Sequence, residues 1–229
     1  MAWNLRYSAP VVGGQDAPED DFPSATSQGP LVMPGAYSAR LFQKLNGTVT
    51  ELAGPGAFKV VADGASAMNP QERVAQEEFL RKVARLSRAV AGALNSANEV
   101  GARLKQIRQA LHEAPAVEQQ LGAAAEAIQR QNNEMLRALR GDVALAVRNE
   151  NVPPSINGRV TGILEGERFA ITRPTQTHVN DYAIASEEFG QQLARLRNLI
   201  QVDLAKLEKD MEAAGAPWTP GRMPEWSEK

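Results

Sequence analysis

Hydrophobic spacing divides the chain near residue 67. Before it, apolar residues alternate with polar ones in short runs bounded by glycine and proline; after it, they recur every three or four residues over long stretches. Trp3, Leu5 and Tyr7 alternate with polar partners and predict a first strand over 2–7. Tyr37, Ala39 and Leu41 mark one side of a second strand over 36–44. Asn46-Gly47 predicts a tight hairpin turn after it, because both positions tolerate positive φ. Residues 48–52 return, Gly54-Pro55-Gly56 predicts another turn, and 57–62 form a fourth strand. Asn46-Gly47-Thr48 is also a glycosylation sequon, but the hairpin explains those residues without it. The stretch from Ser8 to Pro34, rich in Gly, Pro, Asp and Ser, is long for a loop inside a compact domain unless it is functional or loosely ordered. Four short strands make too small a sheet to bury two faces. Either the helical part covers one face, or strands are missing on the N-terminal side.

The second part predicts a bundle. Asn69-Pro70-Gln71-Glu72 supplies a cap residue, a proline in the first turn and a glutamate three residues after the cap. From Phe79 a seven-residue repeat follows, with Val83, Val90, Ala97, Leu104 and Leu111 on one seam and Phe79, Leu86, Ala93, Val100 and Ile107 on the other. Every one of these is apolar, which predicts a coiled-coil-like helix running to His112. Ala114-Pro115 breaks it. A second helix ends near Gly141 with Val117, Leu121, Ala124, Ile128, Met135 and Leu139 inward; Gln131 and Asn132 interrupt its seam as a polar layer that fixes register. Pro153-Pro154-Ser155 opens a short helix through Leu164. A last helix runs from Arg173-Pro174-Thr175 to Ala214, with Val179, Tyr182, Phe189, Leu193, Leu196, Ile200, Leu204, Leu207 and Met211 inward and Gly215 as its stop. The expected fold is therefore α+β, mostly α, with more than half of all residues helical. It comprises a small, incomplete β-sandwich-like module over 1–66 and a long antiparallel three-helix bundle over 67–229, ending in a Pro/Trp-rich tail.

Composition removes several functions. Lys and Arg number 25 against 27 Asp and Glu, a formal net charge of -2 that leaves no basic footprint for nucleic acid and no polybasic membrane patch. Cysteine is absent, which excludes disulfides, thiolate metal sites and cysteine nucleophiles. Only two histidines, His112 and His178, argue against an all-histidine metal site. Aromatics at 5% are sparse for a sugar-binding or base-stacking surface. No apolar run approaches the roughly 20 residues of a membrane span, and the start lacks the head and apolar core of a signal peptide.

Candidate chemistry is thin. His178 and Asp181 lie one turn apart and can meet on a helix face, but no serine in a strained turn completes a triad, so a surface pair is the plain reading. Asp16, Glu19, Asp20 and Asp21 cluster without the glycine-punctuated spacing of a calcium loop. Glu77-Glu78 and Glu187-Glu188 fit solvated helix faces. No catalytic set, metal site or cofactor is expected. The tail holds Trp218 and Trp226 among prolines and predicts an extended segment packed on a surface, with Trp218 mostly buried. Trp3, Tyr7, Trp218, Arg222 and Trp226 are the candidate interaction residues.

The ends carry the most specific signal. Residues Trp3-Asn4-Leu5-Arg6-Tyr7 and Gly29-Pro30-Leu31-Val32-Met33-Pro34-Gly35-Ala36-Tyr37-Ser38-Ala39-Arg40-Leu41 resemble the immunoglobulin-like module of the flagellar hook-capping type. The run Ala213-Ala214-Gly215-Ala216-Pro217-Trp218-Thr219-Pro220-Gly221-Arg222-Met223-Pro224-Glu225-Trp226 is similar to the closing motif of bacterial sortilin-like proteins, Asp-box (BNR-repeat) β-propellers often labelled glycosyl hydrolases. Arg173-Pro174-Thr175 fits the C-terminal region of that family, so the resemblance covers essentially the whole chain. The propeller and its repeats are missing, and with them any hydrolase residues that could be carried over. The resemblance implies a C-terminal piece, or a separately encoded copy of one, that acts as a non-catalytic accessory module. Its partner would be a propeller or another exported protein, in the periplasm, at the cell surface or outside the cell. Self-association into a structural subunit is the main alternative; part of a glycoside hydrolase whose catalytic propeller lies elsewhere is the other.

Overall fold

Asn69 and Glu72 start the helical part by capping each other. The Asn69 side chain accepts the Glu72 amide at 2.9 Å, and the Glu72 carboxylate accepts the Asn69 amide at 3.0 Å. This reciprocal pair satisfies two donors that a helix start leaves orphaned. The computed structural model of the protein describes residues 3–7, 29–62, 64, 68–148, 150–168, 170 and 172–222. The elements among them are β1 (Gly35–Leu45), β2 (Thr48–Val60), α1 (Pro70–His112), α2 (Pro115–Arg140), α3 (Val143–Val147), α4 (Ile156–Glu167), α5 (Gln176–Asn198) and α6 (Ala205–Ala213), with a π-helical turn over Leu199–Leu204 joining the last two. With 65% of the chain helical and one small antiparallel sheet, the class is α+β, mostly α. Two compact units emerge, Met1–Ala84 with Leu164–Gln176, and Arg85–Ile163 with Thr177–Lys229.

The heptad of α1 is buried as its spacing predicts. Val83, Val90, Ala97 and Leu104 are completely covered, and Leu111 and Ile107 nearly so. Phe79, at the start of the second seam, is half-buried. In α2 the inward set is Val117, Ala125, Ile128, Asn132, Met135, Leu136 and Leu139. Ala125 replaces the expected Ala124, which is exposed. The run Ala123-Ala124-Ala125 has no polar break, so its phase could not be read locally; the four-residue step from Leu121 decides it. Gln131 is exposed and Asn132 alone makes the polar layer. Its side-chain amide donates to the Ala97 carbonyl of α1 at 2.9 Å.

The third long helix departs from regular period. Phe189, Leu196 and Leu199 are buried and so are Leu204, Leu207 and Met211, whereas Ile200 is half-buried and Val179 exposed. An α-helix continuing from Leu199 would turn Asp203 inward. The π turn adds one residue to that step and brings Leu204 to the core instead. Glu134 of α2 meets Arg195 of α5 at 3.3 Å, and Arg103 of α1 is ion-paired with Glu208 of α6. Going from Ala97 to Arg103 along α1 thus parallels going from Arg195 to Glu208, and α2 runs the opposite way: up, down, up. The helix ends in a Schellman motif, with Ala216 N–H on the Met211 carbonyl at 2.9 Å, Gly215 N–H on Glu212 at 3.0 Å, and Gly215 at φ +68°.

The β part is a single two-stranded hairpin among the described residues. Asn46 and Gly47 turn it with φ of +50° and +83°, as their identity predicts. The turn expected at Gly54-Pro55-Gly56 is instead an irregularity inside β2. The register slips around Ala39 and Leu41, and β2 continues to Val60 opposite Gly35. Gly54 sits at φ +131°, where a Cβ would lie 2.9 Å from the Arg40 Cα, so only glycine lets the strands pass this close. The expected first strand reduces to one bridge, Arg6 with Leu31.

Leu104→Ala is expected to lower the unfolding free energy by about 2–5 kcal/mol, since its fully enclosed site leaves a cavity. Ala124→Ser, on the exposed side of α2, is expected to stay within about 0.5 kcal/mol of the parent. Urea titration of the two variants checks both.

Candidate functional site

The residues singled out from the sequence fall in two places. Trp3 packs at the base of the hairpin, its ring 5.7 Å from Tyr37 and 5.8 Å from Phe58, with Tyr37 and Phe58 stacked at 5.9 Å. Its indole N–H donates to the Arg6 carbonyl at 3.0 Å, and the Tyr37 hydroxyl donates to the Met33 carbonyl at 2.6 Å. Tyr7 is tied to α1: its hydroxyl donates to Glu77 at 2.8 Å and accepts from Arg81 at 2.9 Å, while Arg81 also pairs with Glu77 at 2.6 Å. Trp3 and Tyr7 therefore serve to fix the root of the hairpin.

Trp218 and Arg222 lie in the other unit. The tail does fold back, through buried Ala216 and Thr219, but Trp218 is 48% exposed rather than mostly buried. Arg222 takes the interior place: its guanidinium bonds Glu212 at 2.7 Å and the Pro217 carbonyl at 3.0 Å, and lies 4.5 Å from the Trp218 ring centroid. Stacking on a cation gives the indole a partner without enclosing it. Gly221, at φ +93°, brings the backbone against the Arg103 side chain. Trp226 and the acidic group Asp16, Glu19, Asp20 and Asp21 lie outside the described residues.

Of the candidates for chemistry, Asp181 is engaged in structure. Asp181 accepts from the Arg159 guanidinium of α4 at 2.5 Å, which locks the start of α5 to α4. His112 Nδ1 lies 3.8 Å from Glu118 across the α1–α2 corner. Beside them a furrow of about 480 Å³ runs over Gly122 and Ala125, rimmed by Lys105, Arg108, Glu118 and Glu126. Its lining holds no hydroxyl or thiol, and its charges are mixed in sign. Among the described residues no group of three metal-ligating side chains converges, and no helix is long and apolar enough to cross a membrane.

The outer half of the hairpin is the surface that sequence reading missed. Beyond Ala39 and Gly56 every residue of both strands is exposed up to Lys59. Leu41, Phe42, Leu45, Val49 and Leu52 leave between 52% and 62% of their surface open. Among the described residues β1 and β2 are each other's sole neighbours in the sheet, so each also has an open backbone edge there. Half of these side chains would normally face a core. The signal was present in the alternation itself: apolar residues occur at both odd and even positions, Leu41 and Leu45 as well as Phe42, which a sheet with one wet face does not need. No family model, curated protein or solved structure matches the chain.

Burial, with the hydrogen bond its phenol donates to Glu77, holds the Tyr7 hydroxyl above the ordinary phenol range against the opposing pull of Arg81. The folded state thus favours the neutral phenol. Its contribution is complete below the unfolded phenol pKa and disappears as pH rises through the higher folded value. Ultraviolet titration of tyrosinate should show a late phenol that is missing in Tyr7→Phe and moves earlier in Glu77→Gln. An unchanged upper limb in Tyr7→Phe would contradict the anchoring geometry.

Proposed function

We propose that the chain is a non-catalytic accessory module that binds other proteins, with the outer half of the hairpin as its docking element. The observation that carries this reading is the exposure of Leu41, Phe42, Leu45, Val49 and Leu52 on a sheet of two strands. A lone hairpin is marginal in water, and each such side chain gains roughly 1.5–3 kcal/mol when fully buried. Open backbone edges let a partner add a strand, and flanking apolar side chains then supply specificity. The aromatic root at Trp3, Tyr37 and Phe58 holds the first rungs of the ladder and leaves the rest to the partner.

The engagement of Asp181 by Arg159 supports the non-catalytic reading, because a carboxylate committed to a guanidinium in the fold is not free to meet a substrate. The near-neutral balance of charge, -2 overall, favours protein over nucleic acid as partner. On the likeness of its ends to sortilin-like Asp-box proteins, the partner is a β-propeller or another exported protein, met in the periplasm, at the cell surface or outside the cell.

Site-specific photo-crosslinking in the native source tests this. A photoreactive residue at Leu45 should give a discrete adduct, identified by mass spectrometry as a protein with a propeller or sheet edge. The same probe at Gln201, on the exposed side of the bundle, should give none. Equal labelling from both positions, or none from Leu45, would contradict the docking role.

A further inference from the structure

The ladder register sorts the outer hairpin into two faces. Phe42 is opposite Glu51 and Lys44 opposite Val49, and directly opposed residues of an antiparallel pair share a face. One face is therefore a four-cornered lattice, with Phe42 and Val49 on one diagonal and Lys44 and Glu51 on the other. All four corners are exposed. Gln43 with Thr50 and Leu45 with Thr48 belong to the opposite face.

We propose that this lattice binds a second copy of the chain, face to face, about a two-fold axis along the Phe42–Val49 diagonal. The inference rests on the hairpin being the docking element and names the occupant of one of its faces. A two-fold interface requires a patch complementary to itself, and this one is. Rotation about that diagonal returns Phe42 to Phe42 and Val49 to Val49. It exchanges the other two corners, so Lys44 of each copy meets Glu51 of the other. With about 7 Å between corners along a strand and about 5 Å across, the exchanged positions miss by about 2–3 Å, within reach of two long side chains. Rotation about the other diagonal would set Lys44 on Lys44 and Glu51 on Glu51, which like charges forbid. A uniformly acidic or basic partner satisfies only one of the two charges; a second copy satisfies both.

Arg40 already lies 3.4 Å from Glu51, but both side chains are well exposed and such a pair is weak. Lys44 of the second copy adds to it without displacing it. At about 100 Å² for each half-open side chain, the four corners and Arg40 bury on the order of 1,000 Å² over both copies, the low end for a specific interface. The dimer is accordingly reversible and concentration-dependent.

Sedimentation velocity of the purified full chain over a dilution series tests the proposal, with helix content checked by circular dichroism. The wild type should pass from monomer to dimer. Lys44→Glu alone and Glu51→Lys alone should each weaken the dimer by about tenfold, and the two together should return it close to the wild-type value. Leu45→Lys, on the opposite face, should leave it unchanged. A wild type that remains monomeric, a double variant as weak as the singles, or a Leu45→Lys variant as weak as they are would each overturn the proposal. A monomer that still cross-links from Leu45 to another protein refutes the dimer alone; a monomer with no such adduct refutes the docking role as well.

Discussion

The seam of Val90, Ala97, Leu104 and Leu111 along α1 is withdrawn from water almost completely, and the rest of the bundle takes its level from it. The Ala97 carbonyl, on that seam, receives the Asn132 amide and so sets the height of α2. Two residues on, Glu134 meets Arg195 at the exposed rim and marks the level at which α5 lies against α2. Six residues above Ala97, Arg103 takes Glu208 of α6 and lies against Gly221 of the tail. Leucine at position 132 would contribute more burial, and Asn132 keeps its Oδ1 enclosed without a donor among the described residues. Such a residue lowers stability in return for a single register, since any slip by a turn would leave its amide without the carbonyl.

That dependence explains what could be read from the sequence. The Asn69–Glu72 cap, the heptad to His112, the Pro115 restart and the Gly215 stop are local rules, and each holds in the structure. The exchange of Ala124 for Ala125 and of Ile200 for Leu199 marks where local rules lose phase. An alanine run carries no period, and a π turn shifts the period by one residue with no residue type that announces it. The hairpin turn at Asn46-Gly47 was legible because its φ angles demand those residues. The bulge at Gly54 was not, because Gly-Pro-Gly looks the same in a turn as in a strand that must let its neighbour pass.

The candidate site was legible only in part. Trp3, Tyr7 and Arg222 stood out as aromatics and cations in unusual company, and all three turn out to fasten one segment to another. Large aromatics at chain ends signal that the ends are tied down, and the tie itself is their use. Leu41, Leu45 and Val49 were ordinary strand residues by type, and only the small number of strands makes their exposure informative. The molecule thus pairs a bundle whose heptad seam is enclosed with a hairpin whose apolar residues are exposed. On the proposed reading, docking is the use that such an imbalance serves.

Native-state hydrogen exchange of the dilute chain tests that imbalance most directly. Amides of α1 from Leu86 to Leu111 should exchange only through global unfolding, with the free energy found by denaturation. Amides from Leu41 to Leu52 should exchange through local opening at much lower free energy, and should slow when the hairpin is occupied. Hairpin amides protected as strongly as those of α1 in the dilute chain would show that the hairpin sustains itself, and would contradict the account.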